Sequence, residues 1–83
     1  EAGLAQHAAL TASVARARDV RVPLSRQRAE AASGAFASGN ASVSALIAAR
    51  RDALEAELDL IMLEERLALT GAGLTLQYAE AAP

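Results

Sequence analysis

The chain has no cysteine, no lysine and no tryptophan, and its only aromatic residues are Phe36 and Tyr78. Without cysteine, neither disulfides nor thiolate chemistry is available, and no redox compartment is implied. Large side chains are also scarce, because 23 of the 44 apolar residues are alanine. A chain of 83 residues already has a thin core for its surface, and this one lacks the bulk to fill a compact globule. No run approaches the roughly 18 apolar residues that a membrane-spanning helix needs. No basic-then-apolar leader opens the sequence, which starts at Glu1 rather than methionine. That pattern is expected of an internal fragment or a processed product of a larger protein.

Charge is nearly balanced, at −2, too little to imply an electrostatic partner. All eight basic residues are arginine, five of them between Arg16 and Arg28, but Asp19 and Glu30 dilute that group. No aromatic side chains are interleaved for base stacking, so nucleic-acid binding is not expected. His7 is the one histidine, and a metal site needs several converging ligands. We expect it to be a surface residue, with no metal or other cofactor bound.

What the chain does have is helical periodicity on both sides of a Gly-Asn break. Over 1–22, Leu4, Ala8, Thr11, Val14 (or Ala15) and Arg18 fall on one side of a helix, with Leu10 and Ala17 beside them. Pro23 lacks an amide donor and disfavours helical dihedrals at Val22. Either one helix ends near Arg21 and another starts at Pro23, or a single helix kinks there. A first arm follows over 23–38, with Leu24, Arg28, Ala31, Ala32, Ala35 and Phe36 as its expected buried side. Gly39 is suited to positive φ and a helix end. Asn40 or Ser42 is placed to cap the next helix, giving a turn over 39–42. A long helix over 43–77 carries two adjacent heptad columns, one of Leu46, Ala53, Leu60, Leu67 and Leu74, the other of Ile47, Leu54, Ile61 and Ala68. So wide an apolar surface suits a helix with neighbours on two sides. The Gly71-Ala72-Gly73 stretch weakens the last turns, and the tail 78–83 is expected to fray. The fold class is therefore all-α, an antiparallel helical hairpin with coiled-coil-like arms, the first kinked or broken at Pro23.

Catalysis finds little support. Glu55 with Asp59, or Glu64 with Glu65, are paired acids, but they lie among arginines on a polar face rather than in a site that would separate their pKa values. One histidine and no nucleophile elbow leave no triad. Asn40-Ala41-Ser42 formally matches a glycosylation acceptor and reads instead as turn and cap chemistry. The protein is not expected to be an enzyme.

Pro23-Leu24, then Phe36 thirteen residues after the proline, then Gly39, together resemble the aromatic-x-x-Gly turn of TolC-like outer-membrane efflux proteins. The run from Gly39 to Arg51 is similar to that family's glycine, small-polar, hydrophobic, Leu-x-Ala-x-Arg progression. Leu54-Glu55-Ala56-Glu57-Leu58 matches the alanine- and glutamate-rich helix that follows. The likeness covers Pro23 to about Leu76. It implies part of a periplasmic tunnel of packed helices, trimeric in the full-length channel and continued by an outer-membrane β-barrel, in a Gram-negative bacterium. It also implies a partner, the periplasmic adaptor protein of a tripartite pump, docked by the turn residues Gly39, Asn40, Ala41, Ser42 and Val43 with Phe36 bracing them. Self-association through apolar helix faces is expected too. The chain departs from the family at Ala45 and Ala48, where acidic residues are common, so no acidic gate carries over. Phe36 stands where tyrosine is usual, and no alternating strands for a barrel are present.

Two other readings compete. The helical hairpin of the adaptor itself has an Arg-x-x-x-Leu-x-x-x-x-x-x-Ser tip; Arg50 and Leu54 fit, but Ile61 occupies the serine position. A generic structural bundle needs no partner at the turn.

Overall fold

The computed structural model describes the backbone of residues 2–81 and the side chains of 3–71. It is an antiparallel helical hairpin, 68 × 14 × 14 Å along its principal axes. Arm one consists of α1 (Ala2–Arg16), a π turn (Ala17–Arg21) and α2 (Val22–Ala37); arm two is α3 (Val43–Ala81). All three parts of arm one pack on α3. Helix α3 extends past the expected end at 77, and the glycines at 71 and 73 do not terminate it. The side chains of Leu74, Leu76 and Tyr78, and the structure of 82 and 83, lie outside the described residues.

Pro23 does not break arm one. Arg16, Arg21 and Val22 all keep helical dihedrals, Val22 at φ −65°, ψ −50°. A proline inside an α-helix removes one hydrogen bond and drives its ring against the carbonyl four residues back. Here the helix widens just before the ring, and the Val22 amide donates to the Ala17 carbonyl, five residues back. The disfavoured helical conformation at Val22 is held because that side chain is buried against the second arm.

The π turn also resets the buried face. Along α1 and into the π turn the residues turned inward are Gly3, His7, Leu10, Val14 and Ala17, spaced by fours and threes. The next is Val22, five residues on, followed by Ser25, Ala29 and Ala32. One extra residue has been inserted into an otherwise regular 3-4 repeat. Of the expected inner side of α2, Ala32 and Ala35 are half-buried as expected, whereas Leu24, Arg28 and Ala31 continued the repeat without that insertion and fall one position off. Leu24, Arg28 and Ala31 are exposed, and Phe36 is 43% exposed. Of the stripe expected over 1–22, Val14 is buried, with Leu10 and Ala17 beside it turned inward as expected, whereas Leu4, Ala8, Thr11 and Arg18 are exposed.

The seam mixes alanine and serine with valine and leucine. Its buried apolar members among the described residues are Val14, Ala17, Val22, Leu46 and Ala56, with Ala56 only 1% exposed. Ser25 is buried among them, its hydroxyl donating to the Val22 carbonyl at 2.9 Å, so its polar atom is satisfied within its own helix. Alanine at such positions lets two backbones approach closely, and the close-packed interior that results leaves no room for larger groups.

His7 is not the surface residue expected. It is half-buried on the inner side of α1, with its Cε1 3.6 Å from the position a Cβ on Gly71 would occupy. Its Nδ1 is buried without a hydrogen-bond partner. Gly71 on α3 faces the imidazole, and a methyl at that position would make only an ordinary contact with it.

Candidate functional site: the turn and the outward face of α3

The turn is closed by local hydrogen bonds that its residues dictate. Gly39 has φ +79°, the only positive φ among the described residues. Its amide donates to the Phe36 carbonyl at 3.0 Å, and the Asn40 amide donates to the Ala35 carbonyl at 2.7 Å. These are the two bonds of a Schellman motif, which satisfy the last carbonyls of a helix. The Ser38 hydroxyl donates to the Ala35 carbonyl, and the Asn40 side-chain amide donates to the Ser38 hydroxyl, both at 3.1 Å. On the other side Ser42 is the N-cap: its Oγ accepts from the Ala45 amide at 3.1 Å. Of the two candidate caps, Ser42 therefore fills the role, while Asn40 ties the turn to Ser38.

All six residues singled out at the tip, Phe36, Gly39, Asn40, Ala41, Ser42 and Val43, come together at one end of the rod. Ala41 is half-buried and the other five are exposed. Leu46 is buried one turn below and anchors the tip to the seam. Phe36, Val43 and Ile47 leave apolar surface around it. The sequence from Ala31 to Ala49 contains no charged residue. A partner meeting this end would be read by shape, apolar contact and hydrogen bonding, with no ion pair from the tip.

Among the described residues two ion pairs cross between the arms further along. Arg21 Nη1 meets Asp59 Oδ2 at 2.6 Å, and Arg26 Nη2 meets Glu57 Oε1 at 2.7 Å. Glu57 and Asp59 are two residues apart and so project to opposite flanks of α3, with Ala56 and Leu60 between them on the inner side. The seam is therefore clasped on both edges. Arg50 adds a bond to the Ser33 hydroxyl at 3.3 Å.

The two heptad columns of α3 separate onto different faces. Leu46 is buried and Ala53, Leu60 and Leu67 are half-buried against arm one, whereas Ile47, Leu54, Ile61 and Ala68 are exposed. Leu58, Met62 and Leu69 join the exposed set. Among the described residues nothing in the hairpin covers this face.

Among the described residues no group of three or more histidine, cysteine, aspartate or glutamate side chains is arranged to hold a metal ion. Nor is any described helix stretch long and apolar enough to cross a membrane. No protein-family model matches this chain, and neither a curated protein nor a solved structure matches it.

Proposed function

We propose that this chain is a helical hairpin of a TolC-like outer-membrane efflux channel, in which it forms part of the periplasmic tunnel and presents its turn to the adaptor protein. The observation that carries the reading is the tip itself. A rigid, internally hydrogen-bonded turn ends a rod of 68 Å, and the residues that carry the family likeness, Phe36 and Gly39 to Val43, are gathered there. The outward apolar face of α3 supports the same reading, since a helix in a tunnel wall needs a neighbour on each side, and arm one covers only one. Self-association of the parent into a trimer would supply the others. The uncharged tip suits an adaptor surface that recognises backbone shape and small side chains. The periplasmic and outer-membrane setting belongs to this proposal, as does the transport role.

The full-length gene product tests the reading. It should carry a second helical half like this one and two pairs of alternating strands for a barrel. A biotinyl-lipoyl-like β domain split around the hairpin would make it an adaptor instead, and a complete gene of about this length would exclude both.

A further inference from the structure

We propose that the outward face of α3 packs on the outward face of arm one of a second copy, with both tips at the same end. The inference rests on the wall of equally oriented hairpins in the channel reading, and names the surface that meets α3 and its register.

Heights along the rod are fixed by the bonds between the arms. Arg26 lies level with Glu57, Arg21 with Asp59 and Ser33 with Arg50. A second copy standing beside the first at the same height keeps these levels. Its arm one then runs antiparallel to α3 of the first.

Counted from those levels, the two outward faces match. Arg51 on α3 comes level with Glu30 of the second copy's arm one, and Glu65 comes level with Arg16; all four are exposed. Between them Leu58 meets Leu24, which are 58% and 41% exposed in the single hairpin. One turn further from the tip, Met62 meets Val20, both exposed as well. The remaining exposed apolar residues, Ile47, Leu54 and Leu69, come level with Gly34, Gln27 and Ala12, all uncharged. At 1.5 Å per residue this ladder runs about 33 Å. Its apolar centre is bracketed by two ion pairs of opposite sense, since α3 supplies the cation nearer the tip and the anion further away.

These charges are not engaged in ion pairs within the hairpin, where the described pairs are Arg21 with Asp59 and Arg26 with Glu57. Arg16 bonds the Ser13 hydroxyl of its own helix. The other way to cover α3 with both tips at one end sets it against α3 of the second copy. That pairing is parallel, so Arg51 faces Arg51 and Glu65 faces Glu65, which repel. Charge thus selects arm one as the partner. An interface between two different faces repeats from copy to copy and closes into a ring where the rotation allows. A trimer of equally oriented copies needs that kind of contact, and a similar second half of the parent would enter the ring in the same orientation.

The chain has no cysteine, so introduced thiols report the geometry cleanly. On oxidation, a mixture of Leu24→Cys and Leu58→Cys chains should form a mixed disulfide, while neither chain alone should cross-link. A chain carrying both thiols, which lie on opposite outer faces of one hairpin, should give a ladder of oligomers. Sedimentation should show association weakened about fivefold by Arg51→Glu or Glu30→Arg, with the double reversal within about twofold of the original. These positions are exposed, so helical content by circular dichroism should be unchanged in every variant. Cross-linking of Leu58→Cys with itself, a double reversal that fails to restore association, or a monomer at about 100 µM would each overturn the register. Such a failure is separable from failure of the channel reading, which is decided by adaptor docking at the tip, outside both faces.

Discussion

Arg21 reaches Asp59 at 2.6 Å across the arms because the helix takes up one extra residue just before Pro23. A regular repeat would follow Ala17 with position 21 on the seam, placing a guanidinium among buried alanines. The π turn moves Val22 to the seam instead and leaves Arg21 at its edge, where a carboxylate on α3 meets it. Burying an unpaired charge is far costlier than leaving it at a flank, so the insertion and the ion pair belong to one solution.

That pair is about half exposed on both partners, so its own contribution is small. A double-mutant cycle with Arg21→Ala and Asp59→Ala should give a coupling of about 0.2–1 kcal/mol. It should shrink as ionic strength rises. A coupling of several kcal/mol that is indifferent to salt would mean the pair is buried in solution.

The register argument makes a sharper prediction. Deleting Val20 together with Pro23→Ala removes both the extra residue and the ring that the π turn accommodates, and restores four-residue spacing from Ala17 to Val22. This variant should keep its helical content and melt cooperatively. Deleting Ala12 instead rotates half of arm one by about 100° and should abolish the cooperative transition in thermal melts monitored by circular dichroism.

Seam packing is tested at Ala56, the most buried of the described residues. Ala56→Leu should destabilise the hairpin by about 1–3 kcal/mol, since the arms cannot separate locally without losing their other contacts. Ala48, exposed on the same helix, should accept leucine with a change within about 0.5 kcal/mol. Equal midpoints in urea for the two variants would show that the arms are not close-packed.

The turn separates conformation from space. A Cβ at Gly39 meets nothing within 4 Å, but φ is +79°. Gly39→Ala should therefore cost about 1–2 kcal/mol from the left-handed backbone alone, and Gly39→Asn noticeably less, because asparagine tolerates that region. Ser42→Ala should cost about 1 kcal/mol through the lost N-cap bond. Chemical denaturation of the three variants ranks them.

At Gly71 the expectation reverses sign. A methyl there would sit 3.6 Å from the His7 ring, an ordinary contact, and alanine is favoured over glycine in a helix by about 1 kcal/mol. Gly71→Ala should be neutral to stabilising in thermal melts, whereas a marked loss would mean that the imidazole needs more room than the seam suggests.

What could be read from the sequence follows the range of the forces involved. The turn was legible because Gly39 and Ser42 act on amides and carbonyls within five residues. The two columns of α3 were legible because leucine and isoleucine stand out against arginine and glutamate. Arm one was not, because alanine dominates every side of it and gives little contrast between faces. Its register depends on a one-residue insertion that proline hints at but does not locate. His7 was misplaced for a related reason, since its inward place follows from the register of Gly3, His7, Leu10 and Val14 that the alanine-rich arm conceals, and its neighbour Gly71 is 64 positions away.

The central claim, that the tip docks an adaptor, is tested most directly by photo-crosslinking from Asn40 and Val43 in the full-length parent within cells. The account predicts adducts with the periplasmic adaptor from both positions, and their loss when Gly39 is replaced by tryptophan while the channel still assembles. Adducts only to the parent's own helices, or none from either position, would contradict it.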